Sequence, residues 1–176
     1  MIKITRIKTP LGEMVAGATE KGICLLEFSD RGELSSEFSD LSKLLNTTIK
    51  EGFSRHFWTL RRQLKEYFKG KRKEFSVPLV APGTDFQQTV WKEIQTIPYG
   101  STKSYSEQAM SLNNPASVRA VANANGANRI SIIIPCHRVI GTDGSLVGYG
   151  GGLSRKRWLL DHERKYSGKP VEISLF

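Results

Sequence analysis

One short segment, Val77-Pro78-Leu79-Val80-Ala81-Pro82-Gly83, divides the chain. Its prolines lack backbone donors and fix φ, and its glycine loosens the backbone beyond them, so neither a helix nor an inner strand is expected to run through it. We therefore expect two units, an N-terminal one over residues 1–82 and a C-terminal one over 83–176, within a chain of 176 residues that is long enough for two small cores.

The first unit reads as β-rich. Ile2 to Lys8 alternates, Thr9-Pro10-Leu11-Gly12 turns, Met14 to Thr19 returns, and Glu20-Lys21-Gly22 leads into Ile23 to Phe28, an antiparallel meander. Cys24 falls inside the third apolar strand, where a buried structural thiol is expected. From Phe53 to Phe68 the spacing becomes helical, with Phe57, Leu60, Leu64 and Phe68 on one face and Gly70 as the stop. The basic residues around that helix fit a solvated face, with attraction to DNA as the alternative.

The second unit reads as mostly helical. Phe86, Val90, Ile94 and Ile97 share a helix face, ended by Pro98-Tyr99-Gly100. Ser104 to Glu107 has the capping-box pattern, and Asn114-Pro115 reads as an N-cap followed by proline at the first helical position. The two short helices, the second over 115–125, resemble a helix-turn-helix. The second carries Ser117, Ala120, Ala122 and Ala124, and Arg119 is its only charge. Such a helix can lie close in a nucleic-acid groove or pack tightly in a core; the segment alone leaves both open. Ile130-Ser131-Ile132-Ile133-Ile134 is expected to be a buried strand ending at Pro135-Cys136-His137-Arg138. Four glycines around Tyr149 form a loop that can approach a ligand closely. Ser154 is expected to cap a last helix that ends near His162-Glu163. The tail from Lys165 carries no signal.

Composition narrows the function. A net charge of +9 suits nucleic acid, an anionic surface or plain solubility. No apolar run approaches the ~20 residues of a membrane span, and the alternating N-terminus is unlike a signal peptide; a cytoplasmic protein is expected. Two cysteines, Cys24 and Cys136, and three histidines do not write a metal site.

Cys136 is the residue most suited to chemistry. It ends an apolar run, follows a proline and precedes His137 and Arg138, and positive neighbours are expected to lower a thiol pKa. Adjacent side chains in extended backbone point apart, so His137 is expected to reach the sulfur through water, with a carboxylate, Glu163 being a candidate, orienting the ring.

Pro135-Cys136-His137-Arg138-Val139 resembles the active-site motif of the O6-alkylguanine-DNA alkyltransferases. The likeness extends in order and spacing through Phe86 to Trp91, Ile97-Pro98-Tyr99-Gly100, Ser104-Tyr105, Arg119-Ala120-Val121 and Gly148 to Leu153 with Trp158-Leu159-Leu160. It is looser in the first unit, at Thr9 to Gly12 and Gln63 to Phe68. The resemblance implies an α+β protein: an N-terminal ribonuclease H-like α/β domain with an antiparallel sheet, and a C-terminal winged helix-turn-helix domain. It implies single-turnover, irreversible transfer of an alkyl group from O6 of guanine, and also O4 of thymine, in duplex DNA to Cys136, with the nucleotide flipped out. His137 would be the base, Glu163 its orienting carboxylate and Asn128 the brace of the cysteine turn. Arg119 would fill the vacated stack, with Ser117 and Ala120 on the same DNA-facing helix. Tyr105 would crowd a phosphate and protonate the leaving guanine. Tyr149, Gly150 and the carbonyls of Cys136 and Val139 would line the pocket. No cofactor and no metal are implied, the partner is double-stranded DNA, and a monomer is expected.

Two positions depart from some relatives: Gly150 stands where they have serine, and Ser131 where they have proline, which bears on pocket size. Rival readings are a cysteine hydrolase, which needs turnover on an ester or amide, and a lesion-binding helix-turn-helix protein, which would need no cysteine.

Overall fold

A computed structural model of the chain describes residues 1–169. The expected tail lies mostly outside the described residues. Strands β1 (Ile2–Thr9), β2 (Gly12–Ala18) and β3 (Ile23–Phe28) form the expected antiparallel meander. Two further elements were not expected: helix α1 (Leu34–Leu44) and the short strand β4 (Ile49–Glu51), which pairs parallel to β1. The sheet order is β3-β2-β1-β4. Its two faces bury different residues. Ile2, Val15, Cys24 and Leu25 pack with Leu41 of α1; Ile7, Met14, Ala16, Leu26 and Phe28 share the main core with Phe57, Leu60, Leu64 and Tyr67 of α2 (Arg55–Phe68). All six residues of β3 are buried, which is why it reads as an apolar run rather than an alternating one.

The proline-bounded segment is not a slack linker. Ile23 N donates to Pro78 O at 2.8 Å and Val80 N to Ile23 O at 2.8 Å, so its backbone covers one end of the β3 edge. A Cβ on Gly22 would meet Pro78 O at 2.5 Å; only glycine permits that approach. Further along the same edge Leu26 N donates to Arg129 O and Ser131 N to Leu26 O, at 2.8 and 2.9 Å. An open sheet edge is an aggregation risk. Here the second half of the chain closes it, and one core cluster runs through both halves.

The second half contains α3 (Asp85–Ile94), β5 (Lys103–Ser104), α4 (Tyr105–Ser111), α5 (Val118–Gly126), β6 (Val139–Ile140) and α6 (Leu153–Tyr166), with β5 and β6 paired in parallel. Two N-termini are held by reciprocal capping boxes. Thr84 and Gln87 close the first. In the second, Ser104 Oγ accepts from Glu107 N at 3.1 Å and Glu107 Oε2 from Ser104 N at 2.7 Å, as its spacing predicts. Two other caps differ from expectation. Asn114 makes no side-chain cap; it leads into a separate 3-10 turn over Pro115–Ser117, and α5 starts only at Val118. Ser154 lies inside α6, which Gly152 precedes, and α6 runs past Glu163 to Tyr166. Phe86 is exposed, and Trp91 takes its place in the core, donating from Nε1 to Ala124 O at 2.8 Å.

The largest correction is the segment 130–134. It is buried but is not a strand; it coils as turns. Its one bridge is Leu26 to Ile130. Ile132 has φ 74°, a costly region for a β-branched residue, of order 1–3 kcal/mol. Burial explains the apolar run; the strained turn redirects the chain toward Cys136.

Candidate active site

Cys136 opens a 3-10 turn, Cys136–Arg138, rather than ending a strand. Cys136 N donates to Ile134 O at 2.8 Å, and Val139 N donates to Cys136 O. Asn128 ties the turn together: Nδ2 donates to Ile134 O at 2.9 Å and reaches Cys136 Sγ at 3.2 Å, while Oδ1 accepts from Ile130 N at 2.9 Å. A buried amide with every group used rigidifies its surroundings.

The thiol does not have the depressed pKa expected from its neighbours. Burial pushes it up to about 11, against the pull of Asn128 and Lys156, and Glu27 adds to the rise. The reason is geometric. Arg138 turns away from the sulfur and grips Glu163, through Nε to Oε2 at 2.8 Å and Nη2 to Oε1 at 3.0 Å, while Nη1 donates to Ile97 O at 2.8 Å. At neutral pH the resting sulfur is a thiol and needs a base.

His137 is fully buried, and its Nε2 meets Glu163 Oε1 at 2.7 Å. Because that partner is a carboxylate, the proton of the neutral ring is assigned to Nε2. Nδ1 is buried with no hydrogen-bond partner among the described residues. Burial lowers the His137 pKa and outweighs the attraction of Glu163, which keeps the ring neutral and able to accept a proton. Burial would raise the Glu163 carboxyl, but His137 and Arg138 outweigh it and hold it well below the usual carboxylate range. Tyr67 of α2 donates its hydroxyl to Glu163 Oε1 at 2.8 Å and Gly100 N reaches Oε2 at 3.3 Å. Gly100 has φ 75°, and a Cβ there would meet Ser167 Cβ at 2.5 Å. The turn after Pro98 thus needs glycine to bring its amide to the carboxylate. Glu163 therefore binds both halves of the chain to the histidine.

Lys156 is buried as well. Its Nζ donates to Val139 O at 2.5 Å and Val147 O at 2.8 Å, and burial pushes the ammonium down to about 8. The carbonyls of Cys136 and Val139, expected to face a base, are each already in one bond and keep a second lone pair.

An open cleft of about 860 Å3 lies on the other side, lined among others by Tyr105, Arg119, Asn123, Tyr149, Gly150 and Arg31. Cys136 does not itself line it. After burial, the charge of Cys136 is the next contribution raising the pKa of both Tyr105 and Tyr149. Tyr105 donates weakly to Val147 O at 3.3 Å. The Tyr149 hydroxyl is buried without a partner among the described residues, and its ring meets His137 edge-on at 6.5 Å. Arg119 and Ala120 are exposed on α5, whose other face buries Val121, Ala124 and Asn125. Of the small residues, Ala124 packs into the core while Ala120 faces solvent. Ser117 donates its hydroxyl to Asn114 O at 2.7 Å, closing the exposed turn before α5.

The structure thus brings Cys136, His137, Glu163 and Asn128 into one cluster and groups Tyr105, Arg119, Tyr149 and Gly150 around one cleft. Five contributors were not singled out as site residues from sequence: Arg138, Tyr67, Lys156, and Glu27 with Arg31, joined at 2.8 Å. Burial pushes the Glu27 carboxyl up to about 7 despite Arg31. Two other histidines also proved structural: His56 Nε2 meets Glu20 O at 2.9 Å, and buried His162 meets Tyr67 O at 2.7 Å and stacks on Trp158. Among the described residues no cluster of His, Cys, Asp or Glu is arranged to hold a metal ion, and no helix is long and apolar enough to cross a membrane.

A tethered thiol, a neutral imidazole backed by a carboxylate and an adjoining open cleft define a protein that can use its own sulfur as a nucleophile. Comparison with known proteins is more specific. Residues 2–81 match the family model for the 6-O-methylguanine DNA methyltransferase ribonuclease-like domain, and residues 85–165 match that for the DNA binding domain. The methylated-DNA–protein-cysteine methyltransferase of Mycobacterium leprae is 54% identical over 164 residues, 93% of each chain. That of Methanosarcina barkeri is 42% identical over 160 residues, 89% of this chain and 94% of the relative. The crystal structure of the Mycobacterium tuberculosis O6-methylguanine methyltransferase superimposes with a TM-score of 0.81 at 40% identity, covering 100% of this chain and 99% of the other. The same protein solved in complex with DNA gives 0.78 at 40% identity, covering 94% and 93%. The chain belongs to the 6-O-methylguanine DNA methyltransferase family.

Proposed function

We propose that this protein repairs alkylated duplex DNA by direct reversal, moving an alkyl group from O6 of guanine, or O4 of thymine, to Cys136. The observation that carries the reading is the arrangement at the sulfur: Asn128 Nδ2 at 3.2 Å, and a buried imidazole with Nε2 committed to Glu163 and Nδ1 open.

The chemistry balances without a cofactor. His137 Nδ1 takes the thiol proton through a water. The thiolate attacks the alkyl carbon, an S–C bond forms, the C–O6 bond breaks and its electron pair goes to guanine. Tyr105 delivers a proton to the leaving base, and the proton held by His137 passes through solvent to the Tyr105 phenolate, so both side chains end neutral. The target carbon is stacked inside the duplex, so the nucleotide must be extruded at a cost of a few kcal/mol. Exposed Arg119, on a helix with a small-residue face that suits close approach, fills the vacated stack and offsets part of that cost. Ser117 and Ala120 lie along the same contact. Tyr149, Gly150 and the free lone pairs of the Cys136 and Val139 carbonyls receive the base. A thioether is a poor leaving group and Cys24 is buried in the sheet, so each molecule acts once. Residues 83–176 carry out the chemistry and residues 1–82 support them. The protein works as a monomer in the cytoplasm, on the DNA there.

Incubation with a duplex carrying O6-methylguanine, followed by peptide mass analysis, tests the reading. A single added CH2 on the Cys136 peptide is expected. An unmodified protein, or steady turnover of an ester instead, overturns it.

A further inference from the structure

Arg31 comes from the loop after β3 in the first half of the chain, yet it lines the cleft beside Tyr105, Arg119, Tyr149 and Gly150. Its side chain is only 14% exposed. The guanidinium is pinned: Nη1 donates to Glu27 Oε1 at 2.8 Å and Nη2 lies 3.4 Å from Glu33 Oε2. Glu27 is fully buried, and its other oxygen accepts from Ser131 Oγ at 3.2 Å, on the strained turn that leads to Cys136. The arginine is thus anchored to the same segment that positions the sulfur.

Gly150 gives the second, independent observation. A Cβ built there would lie 2.8 to 3.0 Å from the carbon and both terminal nitrogens of the Arg31 guanidinium. Gly148 and Gly152 adopt positive φ, at 66° and 93°, and need glycine for the backbone; Gly150 does not. The missing side chain at 150 answers to the arginine packed against it. A flexible arginine could swing away from an intruding group, but this one is tied to the fully buried Glu27 at 2.8 Å, and leaving it would break that buried hydrogen bond.

We propose that Arg31, locked by Glu27, forms a wall of the nucleobase pocket and limits the size of the alkyl group that reaches Cys136. The inference rests on the repair reading above. A methyl group leaves the wall undisturbed. A benzyl group must displace the guanidinium from Glu27 and from the face of Gly150.

The test compares transfer rates from O6-methylguanine and O6-benzylguanine placed in the same duplex, so that any effect of Arg31 on DNA affinity cancels in the ratio. Two variants are used: the double variant Arg31→Ala/Glu27→Gln, which removes the wall without stranding a carboxylate, and Arg31→Lys, which keeps a cation beside Glu27 but lacks the planar fork. The benzyl-to-methyl ratio is expected to rise about ten-fold in the double variant and about three-fold in Arg31→Lys, the scale on which pocket walls discriminate by size. Should the double variant not fold, Arg31→Lys decides alone. A ratio unchanged from the parent, in whichever variant folds, overturns the proposal even if both absolute rates fall, because a merely structural role slows both lesions alike. Failure of the parent protein to take up the methyl group overturns the repair reading instead.

Discussion

The two sides of Cys136 are built on opposite principles. Behind it, Glu163 takes contacts from His137, Arg138, Tyr67 and the amide of Gly100, and the cluster is almost sealed from solvent. In front, the cleft is open, Arg119 is exposed and the Tyr149 hydroxyl has no partner among the described residues. Glu163, with both oxygens satisfied, holds the rear geometry, whereas the unpaired His137 Nδ1 and Tyr149 hydroxyl are the atoms left for the reaction and its ligand. The rear cluster is therefore expected to govern both stability and proton transfer, and the front to govern recognition at little cost to the fold.

The sharpest way to break that contrast is His137→Ala. Loss of the base should slow methyl transfer about 10²–10⁴-fold while leaving DNA affinity unchanged; single-turnover rates beside a gel-shift titration measure both. A drop in affinity equal to the drop in rate would mean that the rear cluster also recognises DNA.

Glu163→Gln comes next and should act mainly on stability. It strands the buried Arg138 charge, and breaking a buried pair costs about 3–5 kcal/mol; calorimetry reads it. Acid should expose the same interaction. The folded Glu163 pKa lies well below its ordinary 4.5, so its contribution is complete above that value and is lost as pH falls toward the folded pKa. The parent Tm should drop more steeply below about pH 4.5 than that of Glu163→Gln. Parallel curves would remove Glu163 as the cause.

Alkylation itself perturbs the junction between the two sides. A methyl on Cys136 adds volume beside Asn128 and removes the contact to Sγ, and overpacking of this kind costs about 1–3 kcal/mol. Thermal unfolding before and after reaction checks it; an unchanged Tm would show that the sulfur side of the turn has room to spare.

The smallest effect belongs to the front. Arg119→Ala should weaken duplex binding several-fold, as loss of one contact worth about 1 kcal/mol, and leave the Tm within the scatter of a surface change, about 0.5 kcal/mol. A clear loss of stability would show that Arg119 is part of the core.

The two sides were unequally legible in the sequence. Strands β1 to β3 and helix α2 follow from spacing, because exposure on one face and burial on the other imposes a period, and the Ser104–Glu107 capping box follows from its residue pattern; the Thr84–Gln87 box was not read from the sequence. The Cys136-His137 pair and the helix-turn-helix can also be seen locally. The strand expected over 130–134 was wrong, since an apolar run reports burial and not conformation. Strand β4 is too short to leave a pattern, whereas helix α1 was legible and missed: Leu34, Phe38, Leu41 and Leu45 recur at helical spacing and pack together on the sheet. The expected activation of Cys136 by Arg138 failed for a different reason: adjacency in sequence said nothing about where the guanidinium points.

What the sequence by itself determined is the set of local facts: which segments bury apolar faces, where helices begin, where the backbone must bend, and which residue is able to act as a nucleophile. Tertiary structure alone decided the partnerships. Tyr67 meets Glu163 across 96 positions and Ser131 meets Glu27 across 104. Hydrogen bonds and Coulomb forces depend on distance in space, and burial makes an unpaired charge costly enough to select one arrangement. Separation along the chain carries no trace of either.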